Sequence, residues 1–151
     1  MAVINAARPD KQKMEDYFRR FWSLKEAYTK ARGDGIAFDL GKCGFSLAPA
    51  EGAVERAQVA VDGQRLPLWG FYVQPAEHSH WISTSRGPPS DAVDAHGVFR
   101  ATFEQASMPA GEMRQHLARE EPRFTPKSVA DLVAAATPMG EVAASTQLPS
   151  T

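Results

Sequence analysis

The chain has 151 residues, of which 43% are hydrophobic and 23% are charged, and its formal net charge is −1. This balance indicates an ordinary soluble core and argues against a protein that coats nucleic acid or an anionic membrane. The single cysteine excludes an internal disulfide framework, and no apolar run approaches membrane-spanning length, so we expect one soluble domain in the cytosol.

The first predicted element is a long amphipathic helix. No Gly or Pro interrupts residues 10–32. Asp10 suits an N-cap after Pro9, and Gly33 and Gly35 are typical of residues just past a helix end. Apolar side chains recur at spacings of one, three and four residues, which predicts a stripe that faces the core: Met14, Tyr17, Phe18, Phe21, Leu24 and Tyr28.

Short extended segments follow this helix and indicate a small sheet. Asp62-Gly63 suits a tight primed turn and predicts a hairpin, whose second strand Pro67 weakens locally. The alternation in residues 36–40 predicts either a strand or an extended connection. The hairpin comprises residues 59–61 and 65–72. The other strand candidates are residues 44–47 and 80–85.

The rest of the chain carries weaker signals. Residues 111–121 are consistent with either a short polar helix or a surface excursion. Ser128 suits the cap of a small Ala-rich helix. We therefore expect an α+β domain over residues 10–139, with one long helix on a small, mainly antiparallel sheet and a short C-terminal helix. The Pro-, Gly- and Ser-rich residues 140–151 predict a disordered tail.

A second face of the first helix carries polar residues beside the apolar stripe. Glu26 and Lys30 stand four residues apart and are therefore neighbours on the helix surface. A carboxylate next to an ammonium can hold a Mg²⁺–pyrophosphate group. The same spacing also gives an ordinary solvated ion pair, and spacing alone leaves both interpretations open. At about 100° per residue, the whole face spans roughly 80°: Glu15, Arg19, Trp22, Glu26 and Lys30.

The literal sequence of this region adds a family resemblance. Residues 22–35, WSLKEAYTKARGDG, match every fixed position of the W-x-x-K-E-x-x-x-K-x-x-G-x-G signature of the 4′-phosphopantetheinyl transferase superfamily. The chain further resembles the eukaryotic aminoadipate-semialdehyde-dehydrogenase type of this family over most of residues 13–139. The positions that carry this likeness are Phe18 and residues 37–40, 62–63, 80–82, 124–125, 131–132 and 138–139.

The resemblance implies a definite reaction. Members of this family move the phosphopantetheine arm of coenzyme A onto a serine of an apo carrier-protein domain of fatty-acid, polyketide or aminoadipate-dependent systems. By the same resemblance, Glu26 would ligate Mg²⁺ and help deprotonate that serine. Lys30 would steady or protonate the pyrophosphate as it breaks, and Lys25 would contact a phosphate. We expect Trp22 to anchor the helix against the neighbouring strands.

The sequence also departs from the family pattern. Members carry an Asp-x-Glu or similar acidic motif well upstream of this string, but only 21 residues precede Trp22 and no Asp-x-Glu occurs in the chain. We therefore expect this chain to resemble the C-terminal half of the larger members. A truncated gene model, a subunit that pairs with a missing N-terminal half, and a degenerate copy remain open. The alternative function is a non-catalytic module that binds a carrier protein or that missing half.

Overall fold

A computed structural model describes residues 10–48, 54–93, 97, 108–121 and 123–136. Its elements in chain order are α1 (Lys11–Arg32), β1 (Cys43–Leu47), β2 (Glu55–Val61), β3 (Gln64–Arg65), β4 (Gly70–Pro75), β5 (Trp81–Arg86), α2 (Ala110–Ala118) and α3 (Val129–Ala136). This architecture confirms the predicted α+β class. The predicted tail at 140–151 lies outside the described residues, and the limits 10–139 stay a prediction.

Helix α1 begins and ends where the sequence predicts. The Asp10 carboxylate accepts a hydrogen bond from the Lys13 N–H at 3.0 Å. Gly33 closes the helix in the left-handed conformation, at φ +82°, and its N–H binds the Thr29 carbonyl at 3.0 Å. Leu24 and Tyr28 are fully buried against the sheet. The core-facing stripe is narrower than predicted, because Phe18 lies about 120° around the helix from Leu24 and is 53% exposed.

The sheet is antiparallel throughout the described strands, in the order β1-β2-β4-β5, with β3 paired to β2. Asp62 and Gly63 both have positive φ, +49° and +80°, as a primed turn requires. The predicted hairpin is therefore confirmed, but its second strand is broken. Only Gln64–Arg65 continue it, and the chain leaves the ladder around Pro67 before it returns as β4.

Residues 36–40 do not form the strand that their alternation allowed. They lie across two 3₁₀ turns, Gly35–Ala37 and Leu40–Lys42. The Asp39 carboxylate accepts a hydrogen bond from the Gly41 N–H at 2.8 Å, which closes the second turn locally. Phe38 packs edge-on against Tyr28, with ring centroids 5.5 Å apart. The segment is thus a connection that carries one core contact.

The core lies between α1 and one face of the sheet. Trp69 stacks on Phe71 and meets Tyr28 edge-on, at centroid distances of 6.0 and 4.9 Å. The Trp69 indole N–H donates to an Asp91 carboxylate oxygen at 2.8 Å, so its polar group is satisfied. The buried cluster comprises Leu24, Tyr28, Cys43, Ala57, Val59, Trp69, Phe71 and Val73.

The later helices are held in different ways. Residues 111–121 contribute to a true helix, α2, which is tied to the sheet by the Tyr72 hydroxyl donating to the Leu117 carbonyl at 2.9 Å. At the start of α3, the Ser128 hydroxyl accepts from the Asp131 N–H at 3.1 Å, which confirms the predicted cap. In the part of the chain that the structure describes, no helix is both long and apolar enough to cross a membrane.

Candidate active site

Glu26 and Lys30 lie together on the exposed face of α1. The Glu26 Oε2 and Lys30 Nζ atoms are 3.5 Å apart, and their side chains are 36% and 74% exposed. Among the described residues, Lys30 is the only side chain that pairs with the Glu26 carboxylate. The Glu26 carboxylate is therefore partly exposed and has Lys30 as its charged partner.

The helix that presents this pair is firmly fixed to the sheet. The Ser85 hydroxyl donates to the Ala27 carbonyl at 2.9 Å, and the Ser23 hydroxyl donates to the Ser83 hydroxyl at the same distance. These bonds run along β5 on one side of α1, while Leu24 is buried against the sheet. Glu26 thus projects from a rigid element, which is the best support for a catalytic or binding group.

Lys25 has a protein partner. Its Nζ donates a hydrogen bond to the Leu40 carbonyl at 2.6 Å. This bond joins the middle of α1 to the second 3₁₀ turn and holds the connection against the helix. The phosphate contact that the family resemblance implies for Lys25 stays a prediction.

Trp22 does not anchor the helix, contrary to the expectation. It is 49% exposed and stacks on Phe18, with ring centroids 6.0 Å apart. At 100° per residue it lies about 160° from Leu24, so its ring cannot reach the sheet. Trp81 takes the anchoring role instead. Its indole N–H donates to an Asp16 carboxylate oxygen at 2.8 Å, and the Arg20 guanidinium lies 4.1 Å from its ring centre.

A polar network at the C-terminal end of α1 was not predicted from the sequence. Arg32 Nη1 donates to the Tyr28 hydroxyl at 3.0 Å, and Arg32 Nε lies 2.8 Å from a carboxylate oxygen of the buried Asp34. Burial raises the pKa of Tyr28, although the Arg32 hydrogen bond opposes the shift. Burial opposes the positive charge on Arg32, but the Tyr28 hydrogen bond and nearby carboxylates leave its pKa raised. The i, i+4 spacing of the two residues was the available signal.

The donor set near Glu26 fits part of a Mg²⁺ site. Mg²⁺ is usually held by one or two carboxylates, together with phosphate oxygens and water. Glu26 supplies one such carboxylate, and the described ranges contain no group of three His, Cys, Asp or Glu side chains that could hold a metal. Three surface cavities of about 310, 410 and 530 Å³ are lined by other residues. The candidate site lies on a partly exposed face of α1.

Comparisons with known proteins identify a family for the chain. A family model described as the 4′-phosphopantetheinyl transferase superfamily matches residues 2–85, which include α1 and almost the whole sheet. The L-aminoadipate-semialdehyde dehydrogenase-phosphopantetheinyl transferase of Rattus norvegicus is 26% identical over 128 residues, which cover 82% of this chain and 37% of that protein.

Two further relatives match shorter stretches. A phosphopantetheinyl transferase of Thraustochytrium is 37% identical over 68 residues, covering 45% of this chain and 23% of the relative. The 4′-phosphopantetheinyl transferase HetI of Nostoc is 51% identical over 45 residues, covering 30% of this chain and 18% of the relative. The chain thus spans 37% or less of the length of these curated relatives.

Proposed function

Because this chain belongs to the 4′-phosphopantetheinyl transferase superfamily, we propose that it takes part in transferring the phosphopantetheine arm of coenzyme A to a serine of an apo carrier-protein domain. The observation that carries this proposal is the partly exposed Glu26–Lys30 pair, whose charged atoms are 3.5 Å apart on a helix fixed to the sheet. The proposed place of action is the cytosol.

In this proposal the two side chains divide the work. Glu26 would hold Mg²⁺ through its carboxylate, and the same carboxylate would accept the proton of the incoming serine hydroxyl. Lys30 donates N–H groups to the pyrophosphate oxygens, where charge develops as the bond to the leaving group breaks. The chemistry that bound Mg²⁺ supplies is neutralisation of charge on those oxygens. The nucleophile belongs to the carrier protein, so this chain needs no catalytic serine or cysteine.

Lys25 has a role apart from the Glu26–Lys30 pair in this proposal. The ammonium of Lys25 is already bound to the Leu40 carbonyl, so we assign it mainly to holding the connection after α1. The chain spans 37% of the rat relative, and Glu26 provides one carboxylate. We therefore propose that a further acidic ligand and the other coenzyme A contacts come from a part of the transferase outside this chain. The chain alone is expected to transfer little or no phosphopantetheine.

The carrier protein is proposed from the relatives. The name of the rat relative includes aminoadipate-semialdehyde dehydrogenase, which favours a carrier domain of aminoadipate metabolism, as in lysine biosynthesis. Carrier domains of fatty-acid or polyketide synthesis are the other proposed substrates. The competing function, a non-catalytic module that binds an apo carrier, is supported by the exposed apolar side chains of α3, where Val129 is 77% exposed and Leu132 53%.

Thermal unfolding in the presence of each ligand separates these functions. We expect coenzyme A with Mg²⁺ to raise the melting temperature of the wild type, because ligand that binds the native state alone stabilises it. The Glu26→Gln variant should lose this effect, whereas Glu112→Gln, which alters an exposed glutamate on α2, should keep it. Stabilisation by the apo carrier without coenzyme A would favour the binding module. Equal stabilisation of Glu26→Gln and wild type would contradict the proposed role of Glu26.

A further inference from the structure

The exposed face of α1 forms a continuous stripe along the helix. We define the α1 stripe as Glu15, Phe18, Arg19, Trp22, Glu26 and Lys30. Its two aromatic rings stack on each other and are about half exposed, at 53% for Phe18 and 49% for Trp22. Aromatic side chains are enriched at contact surfaces between proteins.

The charges of the α1 stripe are arranged with two-fold symmetry about its centre. Glu15 and Lys30 are equally distant in sequence from the point between Trp22 and Ser23, and so are Arg19 and Glu26. Each equidistant pair consists of one acid and one base. Two copies of α1 packed antiparallel about this point would place Glu15 opposite Lys30 and Arg19 opposite Glu26. The stripe is therefore complementary to itself.

The acidic and basic residues of the α1 stripe also pair with each other within one chain. Glu15 and Arg19 form an ion pair at 2.5 Å, and Glu26 and Lys30 form one at 3.5 Å. At about 100° per residue, these four side chains lie on one flank of Trp22, and an antiparallel two-fold axis brings like flanks together. Each end of the pairing then carries a square of four alternating charges. Trp22 lies at the centre, beside Trp22 of the second copy.

We propose that two copies of this chain associate antiparallel through the α1 stripe. A two-fold interface of this kind uses the same patch on both subunits, with an aromatic centre and a charged rim. It is small, so we expect a dimer in rapid equilibrium with the monomer.

The pairing has a consequence for the candidate site. Arg19 of the second copy would face Glu26, so a chain in the dimer could not also hold Mg²⁺ and coenzyme A at that carboxylate. This consequence rests on the proposed function, whereas the dimer itself does not. Mg²⁺ with coenzyme A is therefore expected to shift the equilibrium towards the monomer.

Sedimentation equilibrium over a concentration series tests the pairing. The wild type is expected to show a monomer–dimer equilibrium, and Trp22→Ala to weaken it about tenfold or more. Glu15→Lys and Lys30→Glu should each weaken it, because each places like charges opposite one another. The double variant Glu15→Lys/Lys30→Glu restores opposite charges and should recover the dimer. Arg65→Glu, at an exposed position on β3, is the matched control and should leave it unchanged. Circular dichroism verifies that each variant is folded.

The contrary results are equally specific. A wild type that stays monomeric up to its solubility limit overturns the proposal, as does assembly beyond the dimer. A dimer that persists in folded Trp22→Ala, or a double charge variant weaker than both single ones, also overturns it. One further outcome is a dimer that forms as expected without ligand and yet does not dissociate when Mg²⁺ and coenzyme A are added. That result would support the dimer and contradict the proposed binding site at Glu26.

Discussion

Lys25→Met separates two roles for a lysine that the family signature includes. The substitution keeps most of the apolar stem and removes the ammonium that donates to the Leu40 carbonyl at 2.6 Å. In the structure this bond ties α1 to the connection that leads into β1. We therefore expect the variant to lose stability, and its affinity for coenzyme A to change much less than that of Lys30→Met.

The size of the stability loss follows from the charge and the exposure of the Lys25 ammonium. A hydrogen bond from a charged donor contributes about 1.5 to 3 kcal/mol, and the partial exposure of Lys25 reduces this to about 1 to 2 kcal/mol. For a chain of this length, such a loss lowers the melting temperature by about 3 to 6 °C. Lys30 is 74% exposed and 3.5 Å from Glu26, so Lys30→Met should cost about 0.5 kcal/mol or less.

Urea unfolding measures the stability of both variants, and calorimetric titration measures their affinity for coenzyme A. The expected pattern is a stability loss with nearly retained binding for Lys25→Met, and the reverse for Lys30→Met. If Lys25→Met keeps its full stability and loses binding as strongly as Lys30→Met, the tethering role is refuted. Lys25 would then act as the phosphate contact that the resemblance implies.

Two further predictions concern close packing and pH. Gly87→Ala would place a Cβ atom 2.5 Å from the buried Trp69 ring and should lower the free energy of unfolding by about 1 to 3 kcal/mol. Its control, Gly111→Ala, adds a methyl group with no neighbour within 4 Å and should raise that free energy by up to about 1 kcal/mol. Equal effects of the two substitutions would contradict the close packing of Gly87 against Trp69. Burial raises the pKa of the Cys43 thiol from 9.0 to about 11, so the native state holds this proton more tightly than the unfolded chain does. The resulting stability is fully present below pH 9 and is lost as the pH rises through about 11. The free energy of unfolding of the wild type, measured with urea, should therefore fall more steeply between pH 9 and about 11 than that of Cys43→Ala. Parallel pH profiles of the two proteins would refute the raised pKa.

The long helix was predictable because local signals agree with one another. Asp10 and Gly33 mark its ends, and both act as caps in the structure. The i, i+4 spacing also places Glu26 beside Lys30 without any knowledge of the sheet. The turn at Asp62-Gly63 was predictable for the same reason, since two adjacent residues with positive φ determine a primed turn.

The roles of individual aromatic and basic side chains were not predictable from these signals. Trp22 and Trp81 are the same residue type, and only the placement of α1 against the sheet decides that Trp81 is the anchor. Likewise, the distance from Lys25 to the Leu40 carbonyl depends on the two turns after the helix. Residues 36–40 form those turns because Asp39 closes one of them locally, which alternation cannot reveal.

Calorimetric titration with coenzyme A, in the presence and absence of Mg²⁺, tests whether Glu26 on α1 provides a metal-dependent contact with coenzyme A. The quantity to compare is the gain in coenzyme A affinity that Mg²⁺ brings to each variant. We expect a gain of about tenfold or more for the wild type and for Glu112→Gln, and none for Glu26→Gln. An equal gain in Glu26→Gln, or no gain in the wild type, would contradict it.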